Sequence, residues 1–230
     1  MMENGPSLFD LSSSSECDRL RVEMVFVNNR GEVLLQKRPP KAGQKTGTWC
    51  LPGGNAKKGE SGDEACVRES REQLGIVPDL SHARVLLHNV EQGLLRDIVL
   101  LYQDADENEL NAGSEKAAEY RWVQPEEISR DENYSLDLEK IPGWSSALPF
   151  IRLESMRKRI PLGHYKHFKG NEYLVKGLAL HSETTEPMVI YQAMYGPGET
   201  WVRPASMWTE HVSVSGYDGP RFTIIDTNEE

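Results

Sequence analysis

Cysteine is scarce in this chain of 230 residues: Cys17, Cys50 and Cys66 are an odd number and form no C-x-x-C pair. That pattern argues against a disulfide framework or a structural zinc site, and it fits a reducing, cytoplasmic setting. Long apolar runs are missing as well. The longest, such as Ile98 to Tyr102, fall far short of the roughly 20 residues that a membrane helix requires. Positive charge is in deficit, with 26 Lys and Arg against 36 Asp and Glu and a formal net charge of −10. Non-specific nucleic-acid binding draws its affinity from cations that displace counterions, so it is disfavoured here. An anionic substrate would need local cations or a metal. Residues 1 to 19 lack the basic start and apolar middle of a secretory signal, and they read as a flexible N-terminal tail.

What is present is an ordinary globular composition, 38% hydrophobic and 27% charged, in a chain long enough for one large domain or for a medium and a small one. Arg21 to Val27 reads as a strand, followed by the turn signal Asn28 to Gly31 and a second apolar run, Val33 to Leu35. Pro39 to Gly47 reads as a surface loop leading to Trp49, which is expected to pack in the core. Ser61 to Leu74 follows as a helix closed by Gly75. Further strands are expected at Arg84 to Asn89, Asp97 to Tyr102 and Glu119 to Val123, with helices opening at Pro125 and running from Trp144 to Arg159. From residue 161 onward the texture changes to short strand-like pieces at Tyr165 to Phe168, Tyr173 to Val175, Leu178 to Leu180, Val189 to Gln192, Trp201 to Arg203 and His211 to Val214, separated by Gly and Pro turns, the pattern of a closed or sandwiched all-β unit. The expected boundaries are thus a tail at 1–19, a mixed-sheet domain at 20–160 and a small β domain at 161–230.

The informative stretch is Gly54 to Ile76, where a glycine-containing loop leads into a helix crowded with carboxylates. At helical spacing Glu69, Glu72 and Gln73 share one face, expected to be acidic, while Cys66, Ser70 and Leu74 form a neighbouring stripe that packs inward. Like charges at that spacing repel, so the cluster calls for a cation. Magnesium takes oxygen ligands and is typically held by one or two carboxylates together with substrate phosphates. Arg68, next in sequence to Glu69, can fork onto a carboxylate and fix its orientation. A solvated acidic helix face, with Arg68 and Arg71 as salt-bridge partners, is the plain structural alternative.

The segment resembles the Nudix box, G-x5-E-x7-R-E-U-x-E-E-x-G-U, with Gly54, Glu60, Arg68, Glu69, Glu72, Gly75 and Ile76 in register. Two positions depart from it: Ser70 stands where an aliphatic residue is usual, and Gln73 stands where the family has a metal-ligating glutamate. The resemblance implies an α/β/α sandwich with a mixed sheet and magnesium-dependent cleavage of a diphosphate linkage in a nucleotide-like substrate, with manganese as a substitute ion. It implies a catalytic group of Glu69, Arg68 and Glu72. Metal ligands would come from the Gly53 carbonyl, Glu69, Glu72, Gln73 and a distant loop acid. Glu115 is the best match for that acid, with Glu119 as the fallback and a solvated loop carboxylate as the alternative for Glu115. Arg38, Gly54 and Glu60 would meet substrate or the waters around it.

The C-terminal part resembles a small domain of unknown function, number 1653 in its series, over most of residues 162 to 224. Matching residues include His164, Tyr165, His167, Phe168, Gly170, Tyr173, His181, Glu183, Tyr191, Trp201, Arg203 and Pro204. That resemblance implies an SH3-like barrel and carries no activity. Two rival functions stay open. One is isopentenyl diphosphate isomerase, which shares the fold but has a catalytic cysteine where this chain has Gly53, Cys50 being offset by three positions. The other is a Nudix-shaped module that binds a nucleotide or metabolite without cleaving it. A homodimer is also left open.

Overall fold

A computed structural model of the chain describes residues 19–39, 47–107, 110, 119–132, 134 and 138–227. It separates into two compact units, one ending at Ile151 and one beginning at Arg152. Of the tail expected over residues 1–19 and the loop expected over 39–47, residues 1–18 and 40–46 lie outside the described residues. Arg19, assigned to the tail from sequence, already opens the first strand.

The first unit is built on a seven-stranded mixed sheet. β1 (Arg19–Val27) turns through Asn28 to Gly31 into β2 (Val33–Arg38). The turn is fixed by the Asn28 Oδ1, which accepts from the backbone N–H of Arg30 at 3.0 Å and of Glu32 at 2.9 Å, and by Gly31 at φ 72°. β3 (Thr48–Cys50) and β7 (Glu119–Val123) pair with β2, while β4 (Gly53–Asn55) pairs antiparallel with β1. β6 (Leu94–Tyr102) lies parallel to the whole length of β1, and β5 (Arg84–Glu91) runs antiparallel along β6. Successive residues of a strand face opposite sides, and β1 shows the consequence. Val22, Met24 and Phe26 pack with Cys66 and Leu74 of α1 (Gly62–Leu74), whereas Val25 and Val27 pack with Trp144, Ala147 and Ile151. Helices therefore cover both faces, which gives the α/β/α sandwich.

α1 starts and stops where its chemistry dictates. Ser61 accepts from the Glu64 backbone N–H, and the Glu64 carboxylate reaches back to the Ser61 N–H, so two otherwise orphaned donors are satisfied reciprocally. Gly75 ends the helix at φ 75°, a left-handed position that a side chain disfavours. α2 (Pro125–Ile128) follows β7, and α3 (Trp144–Arg159) runs across the division between the units. Its first half joins the core of the first unit, and Met156 joins the core of the second.

The second unit holds a five-stranded antiparallel sheet in the order β11 (Thr200–Pro204), β10 (Pro187–Ala193), β9 (Glu172–Leu180), β8 (Gly163–His167), β14 (Phe222–Thr227). A hairpin of β12 (His211–Val214) and β13 (Tyr217–Pro220) and the short α4 (Ala205–Trp208) complete it. Its core includes Tyr165, Val175, Val189, Tyr191, Trp208 and Phe222, the last two stacked with centroids 3.8 Å apart. Two strand pieces expected at Tyr173 to Val175 and Leu178 to Leu180 are one strand, because the glycine between them accompanies a bulge rather than a break. Ile190 pairs with Gly177 and Tyr191 with Val175, so Lys176 is the extra residue.

Because the cap positions the carboxylate helix, Ser61→Ala should lower the stability of the first unit by about 1 kcal/mol, measured by urea denaturation. An unchanged midpoint would show that the cap contributes nothing.

Candidate active site

The loop–helix segment converges on one guanidinium. Arg68 reaches Glu60 through two parallel bonds, Nε to Oε1 at 2.6 Å and NH2 to Oε2 at 2.8 Å. Its NH1 donates to Glu69 Oε1 at 2.6 Å and lies 3.6 Å from Glu72 Oε2, and its NH2 also donates to the Asn55 carbonyl at 3.0 Å. Glu60, Glu69 and Glu72 are therefore brought together, each within reach of the same cation. The two-bond contact with Glu60, joined by the Lys57 backbone N–H at 2.7 Å, holds the Glu60 carboxyl below the ordinary carboxylate range.

The three acids differ sharply in exposure. Glu69 is buried at 5% of its accessible surface, while the Glu72 side chain is 41% exposed and is also 3.8 Å from the Lys57 Nζ. The face carrying Glu69 and Gln73, expected to be an acidic surface, is instead buried. Gly54 is the physical reason: a β-carbon there would stand 2.3 Å from Glu69 Oε1 and 2.4 Å from its Cδ, so only a residue without one lets the carboxylate lie on the β4 backbone. The inward stripe is as expected, with Cys66, Ser70 and Leu74 buried, the Ser70 hydroxyl contacting Met24 Sδ at 3.2 Å, and burial pushing the Cys66 thiol up to about 12.

Gln73 is 2% exposed and grips the loop by both ends of its amide. Its Oε1 accepts from the Gly53 N–H at 3.2 Å, and its Nε2 donates to the Gly53 carbonyl at 2.9 Å and to Glu69 Oε2. The Gly53 backbone fixes the orientation of the amide, since an N–H needs the oxygen and a carbonyl needs the nitrogen. Gln36 of β2, fully buried, donates a second bond to Gln73 Oε1 at 2.9 Å and another to the Leu51 carbonyl at 3.3 Å. The Tyr120 hydroxyl donates to the Gln73 carbonyl.

Sequence reading missed Gln36 and Tyr120, and it missed Glu23 too. Glu23 is 3% exposed on β1, directly across from Gly53, and is paired with Arg21 at 2.6 Å and Arg96 at 2.5 Å. The one available signal was a polar residue interrupting an apolar strand. Arg38 ends β2, half-buried, and Trp49 is buried edge-on to Tyr134 at 5.3 Å, a packed residue. Glu115 lies outside the described residues. Glu119 pairs with Arg121 and, at 3.8 Å, with Lys37.

Among the described residues no three acidic, histidine or cysteine side chains stand close enough to enclose a metal by themselves. Glu69 is the link between the oxygens expected to ligate a metal: one of its oxygens shares Arg68 NH1 with Glu72, and the other shares Gln73 Nε2 with the Gly53 carbonyl. That set suits a hard divalent ion sharing its shell with water and substrate phosphate, rather than a closed protein cage.

A NUDIX domain model matches residues 18–142, more than half of the chain, and a model described as a protein of unknown function, DUF1653, matches residues 163–224. The chain belongs to the Nudix family, with a DUF1653 domain C-terminal to the Nudix domain. A protein of Listeria monocytogenes described as an uncharacterized Nudix hydrolase is 32% identical over 47% of this chain and 65% of its own length. The chain thus spans just under two thirds of that relative. A nucleoside triphosphatase, NudI, of Salmonella agona is 30% identical over 45% of this chain and 81% of the relative. Among solved structures, a MutT protein from Methanosarcina mazei is 24% identical, covering 58% of this chain and 94% of its own, with a TM-score of 0.43. A DUF1653 protein from Bordetella bronchiseptica is 32% identical over 31% of this chain and 94% of its own, with a TM-score of 0.28.

Gly54→Ala should displace Glu69 and lower the stability of the first unit by about 1–3 kcal/mol, measured by urea denaturation; a wild-type midpoint would show that Glu69 can move aside without cost. Glu60 titrates lower in the folded chain than in the unfolded one, so its contribution is fully present above the ordinary carboxylate value of about 4.3 and is lost as pH falls through the lower folded value. Glu60→Gln should therefore narrow the stability difference between pH 7 and pH 3, read from denaturation curves at both.

Proposed function

We propose that the Nudix unit hydrolyses a diphosphate linkage in a nucleoside diphosphate derivative, using magnesium. The supporting observation is the convergence of Glu60, Glu69 and Glu72 on Arg68 beside the Gly53–Gly54 backbone. Magnesium bound there would polarise the phosphoryl oxygens and stabilise the leaving phosphate. Glu69 and Glu72, with the Gly53 carbonyl, are the groups that would hold it. Glu69 is fixed from two sides, by Arg68 on one oxygen and Gln73 on the other, so it is held in one orientation, and its remaining lone pairs can orient an attacking water. Glu72, the most exposed of the three, meets solvent and incoming phosphate first. Glu60 has both oxygens on Arg68 and acts as a positioning residue. Arg38, at the end of β2, supplies a cation for substrate phosphate.

A second reading, binding without cleavage, draws on Gln73. Its amide Nε2 bridges the Gly53 carbonyl and Glu69 Oε2, two of the groups that would ligate the metal. The two readings separate in one experiment: incubation with a panel of nucleoside triphosphates, nucleotide sugars, dinucleotides and ADP-ribose, with and without magnesium. Hydrolysis predicts released phosphate or monophosphate, lost in Glu69→Gln and Glu72→Gln. Thermal stabilisation by a nucleotide with no product would replace the hydrolase reading by the binding one.

Gln73→Glu offers an independent check on the metal. The new carboxylate would face Glu69 and the Gly53 carbonyl with no proton to share, so the variant should melt below wild type in EDTA and regain stability with magnesium. A melting temperature indifferent to magnesium would place the metal elsewhere.

A further inference from the structure

Outside the Nudix unit, the second unit carries an aromatic cleft of about 240 Å³, lined by Tyr173, Tyr191, Tyr195, Trp201, Glu199 and Arg203 together with Pro197 and Ala193. Cross-strand register makes it: Tyr191 of β10 stands opposite Trp201 of β11, and Ala193 opposite Tyr173 of β9. The tyrosine rings meet edge to face, Tyr173 with Tyr191 at 5.5 Å and with Tyr195 at 5.7 Å, and the Tyr173 and Tyr195 hydroxyls lie 3.0 Å apart. The β10–β11 loop is shaped in advance. Gly196 and Gly198 adopt φ of 59° and 70°, the Ala193 N–H donates to the Glu199 carbonyl at 3.0 Å, and Gln192 Nε2 holds the Gly198 carbonyl at 2.7 Å.

Two features of this cleft are unusual for a surface. Trp201 is 56% exposed and Tyr195 49%, so large ring faces are left to water. Arg203 is half-buried, and its guanidinium lies 5.9 Å from the Tyr191 ring and 5.4 Å from the Phe222 ring. Among the described residues no carboxylate or carbonyl accepts from it. An arginine held on aromatic faces with its donors unclaimed is a pre-set anion fork.

We propose that this cleft binds a planar heteroaromatic ring bearing an anionic group, the chemistry of a nucleoside monophosphate. The ring stacks on Trp201 and Tyr195, the anion meets Arg203, and the Glu199 carboxylate accepts from ring amino or ribose hydroxyl groups. The proposal holds whether or not the Nudix unit is hydrolytic. Size limits the ligand: clefts that enclose a whole drug-sized molecule run from about 300 Å³ upward, so this one takes a single base. Charge limits it further. With five Lys and Arg against nine Asp and Glu from Pro161 onward, the domain repels a polyanion, whereas a mononucleotide needs only one cation. A methylated ammonium would meet Arg203 as a like charge, and a polyproline segment offers carbonyls but no anion.

The test is calorimetric titration of the full chain with adenosine 5′-monophosphate, which contains no diphosphate bond, alongside adenosine. Saturable binding is expected, weakened 10-fold or more in Trp201→Ala. In Arg203→Gln the preference for the monophosphate over adenosine should vanish. Thermal melts matching wild type would certify the fold of both variants, and Trp201 is exposed enough for its removal to leave the core untouched. Absence of saturable binding overturns the proposal, as does binding that survives both substitutions. Capture of a proline-rich peptide in the cleft, with no nucleotide bound, also overturns it.

Discussion

Arg68 is the constraint on which the rest of the site depends. Three carboxylates gathered around one point repel, and the helix that displays two of them, Glu69 and Glu72, gains nothing from propensity alone. A planar guanidinium with five donors offsets this by giving each acid a distinct partner direction. Glu60 takes the fork, Glu69 the adjacent NH1, and Glu72 the looser outer position, while the Asn55 carbonyl ties the same group to β4. Loop, strand and helix are thereby locked as one body. A lysine at this position would supply the charge without the geometry.

A second lock sits behind the first. The amides of Gln36 and Gln73 form a buried ladder from β2 through α1 to Gly53, and Tyr120 closes it from β7. At this position the family pattern carries an acid, whereas this chain carries a neutral group that both donates and accepts. That exchange lets the backbone around Gly53 keep its shape using protein groups alone. Buried polar networks of this kind specify a unique arrangement only when their members are satisfied; here the Gln73 amide has a partner for its oxygen and for its nitrogen, whereas the Gln36 Oε1 is buried with no hydrogen-bond partner among the described residues.

How much of this was legible depended on whether partners lay close in sequence. α1 could be read almost to the residue because its cap, its stop and its inward stripe are local: Ser61, Gly75, and Cys66 with Ser70 and Leu74. The grouping of Glu60, Arg68, Glu69 and Glu72 was readable from the spacing of the box. The burial of Glu69 was not, because it follows from the missing side chain of Gly54 on a strand that only folding brings beside the helix. Gln36 pairs with a residue 37 positions away, which no local pattern records. In the second unit β13 is hidden in the sequence because Tyr217 to Pro220 holds Asp, Gly and Pro, the residues that usually mark turns, and β14 is a further strand that the sequence reading lacks. The glycine in β9 reads as punctuation, yet it stays paired and the bulge falls on Lys176 beside it.

Sharing one guanidinium has a consequence for how the acids answer to change. Removing any one of them frees donors that the others can recruit, so the remaining carboxylates shift toward the vacancy rather than staying in place. The penalties of successive substitutions at Glu60, Glu69 and Glu72 cannot then be summed, and the trio behaves thermodynamically as a single coupled unit instead of three separate contributors.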